Sequence, residues 1–107
     1  MADSILQVVT TTASQEEARR IAAAVIEARL AACAQVGGPI ESHYRWQGKL
    51  QTSKEWTVTM KTTAAAYQRL EQEIRRVHSY EQPEILATPA ATGSEGYLKW
   101  VAEEVAE

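Results

Sequence analysis

Two long segments whose side chains alternate between two faces are joined by a two-residue turn, and together they constrain the fold of this chain more than any other feature. Residues 33–46 and 49–62 each span 14 residues, and Gln47-Gly48 between them is a hairpin signal. At roughly 3.3 Å per residue, a straight arm of this length reaches about 45 Å. The helix predicted before it covers only about 28 Å. Part of the hairpin must therefore project beyond the domain, even if Gly37-Gly38-Pro39 bends it.

The projecting part of this hairpin carries large apolar side chains. Tyr44, Trp46 and Leu50 lie in it. A two-stranded ribbon with exposed aromatic rings is unstable alone and tends to pair. We therefore predict a homo-oligomer in which the hairpins pack on neighbouring subunits. The alternative is that loops shorten the strands.

The remaining segments predict an α+β domain. In order they are a strand at 5–11, a helix to about residue 32, the hairpin, a helix at about 64–77, a strand at 84–89 and a last helix capped by Thr92 or Ser94. The first six elements follow the ferredoxin-like βαββαβ order, with an additional C-terminal helix. The length of 107 residues fits a single domain, 1–107.

Three local patterns refine this prediction. Strand 5–11 is apolar on both alternating faces, which is typical of a central strand covered on both sides. Pro89 favours an edge position for the last strand. Ser14 and Glu17 form a capping box at the start of the first helix. The apolar stripe of that helix is Ile21, Val25, Ala28 and Ala32.

Charge and composition exclude several classes of protein. The net charge of −3 argues against a nucleic-acid partner, because phosphate binding needs a basic face. The longest apolar stretch, 21–36, is interrupted by Glu27 and Arg29 and is not a membrane span. Residues 1–4 show no signal peptide, and the single cysteine allows no intrachain disulfide. We expect a cytoplasmic protein.

The stretch "RVHSYEQPEI", residues 76–85, is the most attractive candidate site. His78 and Glu81 are possible ligands of a borderline metal such as copper or zinc. A designed metal site, however, usually has three or four ligands in a recognisable spacing. The alternative, which the stretch taken alone favours, is a polar connection. In it His78 bonds the last carbonyls of a helix, Tyr80 packs under the loop and Pro83 restricts the turn.

Other candidate residues have plainer interpretations. Cys33 is expected to be a small buried hydrophobic residue rather than a metal ligand or redox thiol. His43 shares its strand face with two charged neighbours and should be solvated. Lys61, near the end of a strand, would reach an anion, pair with Glu84 across a cleft, or form a structural salt bridge.

Four blocks of the sequence together resemble the CutA family of divalent-cation tolerance proteins. The blocks are "RLAACAQVGGPIESHYRWQGKL", "KEWTVTMKTT", "HSYEQPEI" and "GSEGYLKW". The resemblance covers nearly the whole chain. It implies a ferredoxin-like subunit, close to the PII signalling proteins, in a tight homotrimer. It also implies a link to copper and other divalent ions, with no established reaction.

The resemblance implies a cleft near a subunit junction and a set of residues lining it. His78 is the one position that retains a copper ligand suggested for some relatives. Thr10 and Val77 stand where those relatives have cysteine and histidine, and Ser79 replaces a usual proline. The cleft residues implied are Tyr44, Lys61, His78, Tyr80, Glu84 and Trp100.

Three functions are compared on this basis. The first is a homotrimeric, PII-like binding or signalling protein associated with divalent metal ion tolerance, not an enzyme, with copper or another divalent cation as its ion. The second is an acylphosphatase-like hydrolase, which rests on fold analogy and needs an arginine and an asparagine that the turn "TTTASQ" lacks. The third, an RNA-recognition module, needs stacked aromatics and a basic face that the sequence does not provide.

Overall fold

The predicted order of strands and helices is present in the computed structural model, which describes residues 4–106. The ends of the predicted domain, at 1–3 and 107, and most of the segment assessed for a signal peptide lie outside the described residues. The elements are β1 (Ile5–Thr12), α1 (Gln15–Glu27), β2 (Cys33–Trp46), β3 (Lys49–Thr63), a 3-10 turn (Ala64–Ala66), α2 (Tyr67–Val77), β4 (Ile85–Pro89) and α3 (Glu95–Glu104).

The four strands form one antiparallel sheet in the order β2-β3-β1-β4. β1 therefore lies between β3 and β4, and β4, which ends at Pro89, lies at an edge, as predicted. α1 packs against α2 and against the sheet, on one of its faces. This arrangement confirms the α+β, ferredoxin-like fold with an additional C-terminal helix.

The two faces of β1 have different surroundings. Val8 is fully buried in the core formed with α1 and α2. On the opposite face, Gln7 is exposed and Val9 is half-buried. The predicted central position of the strand is confirmed, but its second face is covered only in part: Ile5 is buried there against α3, whereas α1 and α2 lie on the other face. The core residues on that face include Val8, Ile21, Val25, Val58, Met60, Leu70 and Ile74.

α1 ends about five residues earlier than predicted. The Leu30 amide donates to the Val25 carbonyl at 2.9 Å and the Arg29 amide to the Ile26 carbonyl at 3.0 Å, which is a Schellman ending. Arg29 adopts the left-handed conformation, with φ of 59°, where glycine is usual. Its guanidinium donates to the Glu104 carbonyl at 3.1 Å. This contact with the end of α3 has no local sequence signal, so the periodic pattern overestimated the helix.

The hairpin of β2 and β3 runs for its whole predicted length. Trp46 pairs with Lys49 across the turn, and Gln47 and Gly48 both have positive φ, 51° and 79°, as a type I′ turn requires. A bulge between Gly37 and Ile40 shifts the register without ending the strand. The longest dimension of the chain is 47 Å. The alternative of strands shortened by loops is therefore wrong.

α3 packs across one end of the sheet. Val101 and Val105 are buried against Ile5 and Ala66, forming a second, smaller core. Ser94 occupies the N-cap position of α3, although its side chain makes no capping hydrogen bond. Among residues 4–106, no helix is long and apolar enough to cross a membrane.

Candidate functional site

The six residues assigned to a cleft lie in different parts of the chain. Tyr44, Tyr80 and Glu84 line one cavity that extends along the projecting hairpin to Trp46, next to its turn. Lys61 is six residues further along β3 than Glu55, which also lines that cavity. The separation is about 20 Å at the usual rise per residue. A single chain thus brings only part of the predicted cleft together.

The cavity has a volume of about 560 Å³, which is the size of typical small-ligand pockets. It opens between the hairpin and the loop that joins α2 to β4. Ser42, Tyr44 and Trp46 contribute from β2, Glu55 from β3, and Tyr80 and Glu84 from the loop.

The hairpin register explains why these strand residues face one another. After the bulge, Ile40 pairs with Glu55, Ser42 with Ser53 and Tyr44 with Gln51. Because paired residues point to the same side of a sheet, Ser42, Tyr44 and Trp46 share the face of Glu55. This is the alternation predicted for residues 40–46. The Tyr44 and Ser53 hydroxyls lie 3.2 Å apart on that face.

Glu55 and Tyr80 form the central polar contact of the cavity. The Tyr80 hydroxyl donates to Glu55 Oε2 at 2.8 Å, and only 7% of Glu55 is exposed. Burial and the adjacent carboxylate of Glu55 raise the pKa of Tyr80 well above its usual value, so its phenol remains a donor. The sequence analysis missed this role of Glu55. An alternating charged residue is normally solvated, and nothing local marks this one as buried.

His78 is enclosed by contacts within the chain. Its side chain has no exposed surface. Nε2 donates to the Thr11 carbonyl at 2.8 Å and Nδ1 accepts from the Tyr80 amide at 3.1 Å. The carbonyl requires a protonated nitrogen and the amide requires a lone pair, so the ring is a neutral imidazole with both nitrogens engaged. The predicted contact with the last carbonyls of α2 is wrong, because the ring instead bonds the end of β1.

Glu17 is the second residue that sequence reasoning missed. Ser14 Oγ accepts from the Glu17 amide at 3.1 Å, as the capping box predicts. The Glu17 carboxylate, however, accepts from the Ser79 amide at 2.6 Å and from Ser79 Oγ at 3.0 Å. Oε2 also lies 3.5 Å from His78 Nδ1. Local spacing cannot reveal a partner 62 residues away, so the carboxylate was assigned to the cap.

The far end of the sheet holds the other predicted cleft residues. Lys61 Nζ donates to Gln35 Oε1 at 3.1 Å, so the predicted pair with Glu84 is not formed. Trp100 packs beside Tyr97 on α3, with ring centroids 5.8 Å apart. Cys33, which pairs with Lys61 in the sheet, is half-buried rather than fully buried as predicted.

Cys33 contacts Tyr97 through its thiol. Sγ lies 3.5 Å from the Tyr97 hydroxyl. This hydrogen bond, together with partial burial, raises the pKa of Tyr97 to about 12. The thiol therefore has a defined partner, but among the described residues it belongs to no metal-ligating group.

The described part of a single chain does not form a metal centre. Within residues 4–106, no group of three or more His, Cys, Asp or Glu residues is arranged to hold a metal ion. Both nitrogens of His78 are engaged, and Glu81 and Glu84 lie on exposed loop positions. His43 is exposed, as predicted, and contacts Glu41 Oε2 at 2.6 Å.

The sequence and the fold both have close counterparts. The model of the family described as CutA1 divalent ion tolerance protein matches residues 6–104. The divalent-cation tolerance protein CutA of Thermus thermophilus is 42% identical over 96 residues, covering 90% of this chain and 93% of that protein. A solved structure of that organism's CutA1 has a TM-score of 0.93 at 39% identity, covering 95% of this chain and 99% of the other.

Two further relatives differ in length or stated location. The Arabidopsis thaliana protein named CutA, chloroplastic, is 33% identical and matches 88% of this chain, which spans only 52% of that protein. The structure of CutA from Archaeoglobus fulgidus, described as periplasmic, has a TM-score of 0.91 at 34% identity, covering 95% of this chain and 99% of the other. These names do not confirm a cytoplasmic location for this chain.

Proposed function

This chain belongs to the CutA1 divalent ion tolerance family, and on that premise we propose that it is a cytoplasmic, homotrimeric, PII-like protein. In this proposal it acts in tolerance of divalent ions, copper included, by binding or signalling rather than by catalysis. The projecting hairpin is the single observation that carries the proposal.

The hairpin exposes apolar surface that one chain cannot cover. Ile40 is 39% exposed, Trp46 50% and Leu50 76%. Covering each such side chain by a neighbour contributes roughly 25 cal/mol per Å² of apolar surface removed from water. A ribbon of this length without a partner is a site for association. Contact with a second copy provides that partner.

A cyclic trimer also accounts for the divided cleft. In a head-to-tail ring, one end of a subunit meets a different end of the next. The Tyr44, Tyr80 and Glu84 end of one chain would then face the Lys61 and Trp100 end of its neighbour. We propose that the complete cleft is formed in this way by two chains.

The proposed trimer also suggests where a divalent ion would be held. Because His78 is fully engaged and no described group of one chain fits a metal centre, we propose that an ion would be held by groups from more than one chain. His78 would then support the loop rather than ligate the ion. This proposal concerns where the ion is held and includes no reaction.

Sedimentation velocity of the full chain and two matched variants tests the proposed assembly. Trp46→Asp places a charge on the projecting hairpin. Ile26→Asp places the same charge at an exposed apolar position on α1, 40% exposed. We expect the hairpin variant to shift to smaller species while wild type and the control remain trimeric. Equal sedimentation of both variants would contradict a hairpin-dependent trimer.

A further inference from the structure

The C-terminal end of α3 is held by two arginines that belong to other parts of the chain. Arg29, just beyond the end of α1, donates from Nε and Nη2 to the Glu104 carbonyl at 3.2 and 3.1 Å. Arg69, on α2, donates from Nη2 to the Ala106 carbonyl at 3.1 Å. The Ala106 amide in turn donates to the Arg29 carbonyl at 2.8 Å. The end of α3 is therefore tied to both α1 and α2.

The sequence of α3 does not stabilise this end of the helix. Its last turn contains no basic residue, and Glu103 and Glu104 are both exposed there. The C-terminus of a helix carries a partial negative charge, which carboxylates oppose and cations stabilise. Arg29 and Arg69 therefore supply from outside the positive charge that this helix end lacks.

The backbone of Arg29 is strained where the side chain makes this contact. Its φ of 59° lies in the left-handed region, which is costly for a residue with a side chain and is usually occupied by glycine at a helix end. Strain of this kind is found most often at switches and other functional positions. The other arginine pairs described in the structure are different, because Arg20, Arg75 and Arg76 each pair with a glutamate one turn away on their own helix.

Apart from these arginines, α3 is attached by a small contact. Val101 and Val105 pack against Ile5 and Ala66 in the second core, separate from the main core under α1 and α2. Ser94 makes no side-chain capping hydrogen bond. The helix has 10 residues, and isolated helices shorter than about 12–15 residues are only marginally stable. Few contacts of this kind are typical of an element that opens locally while the rest of a protein stays folded.

We propose that Arg29 and Arg69 form a latch, and that α3 undocks and redocks as one element while the main core remains folded. The latch is exposed and electrostatic, so ionic strength sets the fraction of chains in which it is closed. Because Tyr97 and Trp100 lie on α3, the latch also determines whether their rings are held at the far end of the sheet. That these rings meet a neighbouring subunit rests on the proposed function, whereas the latch is formed within one chain.

Hydrogen–deuterium exchange of the full chain, followed by mass spectrometry, tests the latch. The amides of α3 are compared with those of β1, the strand at the centre of the sheet, in the same sample. We expect α3 to exchange at least about tenfold faster than β1, because undocking α3 leaves the main core intact. Raising the sodium chloride concentration from about 0.01 M to about 1 M should accelerate α3 about threefold and leave β1 unchanged.

Three variants locate the effect. Arg29→Gly removes the guanidinium but favours the left-handed backbone, so α3 should exchange about fivefold faster while β1 exchanges no faster than in wild type. Arg69→Ala should accelerate α3 about threefold. Arg19→Ala, which removes an exposed arginine of α1, is the control and should leave α3 unchanged. Combining Arg29→Gly with Arg69→Ala should abolish the salt dependence of α3.

Three results would overturn the proposal. The first is equal exchange of α3 and β1 in wild type, and the second is unchanged exchange of α3 in either arginine variant, as expected if a neighbouring copy covers the helix. The third is equal acceleration of α3 and β1 by Arg29→Gly. Light scattering on the same samples separates the latch from the assembly. A trimer in which α3 exchanges like β1 overturns only the latch, and a monomer with a salt-dependent α3 overturns only the trimer.

Discussion

The loop after α2 and the tip of the hairpin lie on opposite sides of the same cavity but are stabilised in different ways. At the loop, hydrogen bonds within one chain join Glu17 to Ser79 and His78 to the end of β1. At the tip, Trp46 and Leu50 remain exposed. The loop is complete in a single chain, whereas in the proposed assembly the hairpin is covered by a second molecule. Mutations in the two regions should therefore affect different properties.

The largest effect on stability is expected from Glu17→Ala. It leaves the Ser79 amide and hydroxyl without their acceptor in a partly buried position and removes packed atoms. We expect the free energy of unfolding to fall by about 3 kcal/mol, measured by urea denaturation at a fixed protein concentration. Glu16→Ala is the matched control, since that exposed carboxylate forms only a surface pair with Arg20. If the two variants are equally stable, the loop does not depend on Glu17.

A somewhat smaller loss, about 2 kcal/mol, is expected from His78→Ala, which removes the hydrogen bonds to Thr11 and Tyr80. Calorimetric titration with Cu(II) and Zn(II) distinguishes a structural role of His78 from a role as metal ligand, because only a ligand changes the heat of metal binding. We expect the mutant to give the same binding heats as wild type. Loss of a stoichiometric copper site in the mutant would instead make His78 a ligand and remove the contrast between the loop and the assembly.

The smallest effect concerns the far end of the sheet. Cys33→Ala removes the hydrogen bond that most raises the pKa of Tyr97, so this pKa should move from about 12 towards its usual value. Ultraviolet titration of tyrosine ionisation measures the change, and Cys33→Ser keeps a partner for the phenol as a control. An unchanged pKa in the alanine variant would show that burial alone causes the shift.

The pH dependence at Tyr97 follows from the same shift. The folded pKa lies above the ordinary value of 10.0, so the folded state holds this proton more tightly. The contribution to stability is fully present below pH 10 and is lost as the pH rises through about 12. Cys33→Ala should reduce this alkaline loss.

The sequence predicts the fold better than the site because the two depend on different kinds of contact. Periodic patterns and the turn at Gln47-Gly48 are local, and they predict the strand order and the whole hairpin. The premature end of α1 depends on Arg29 contacting the end of α3, 75 residues away. A helical period contains no information about such a contact.

The difference between local patterns and contacts between distant residues also explains which site residues the sequence analysis missed. Tyr80 and Glu84 were assigned to the cleft by the resemblance to the CutA family, not by their local sequence. Glu17 and Glu55 were not, because their partners lie 62 and 25 residues away. The positions of Lys61 and Trp100, apart from the cavity, follow from the sheet register rather than from any motif.

Light scattering of the wild-type chain tests the central contrast most directly. A loop completed within one chain and a hairpin completed by its neighbours require an assembly that persists on dilution. We predict a mass three times that of one chain across the micromolar range. A stable monomer at micromolar concentration, with its hairpin folded and unpartnered, would contradict the account.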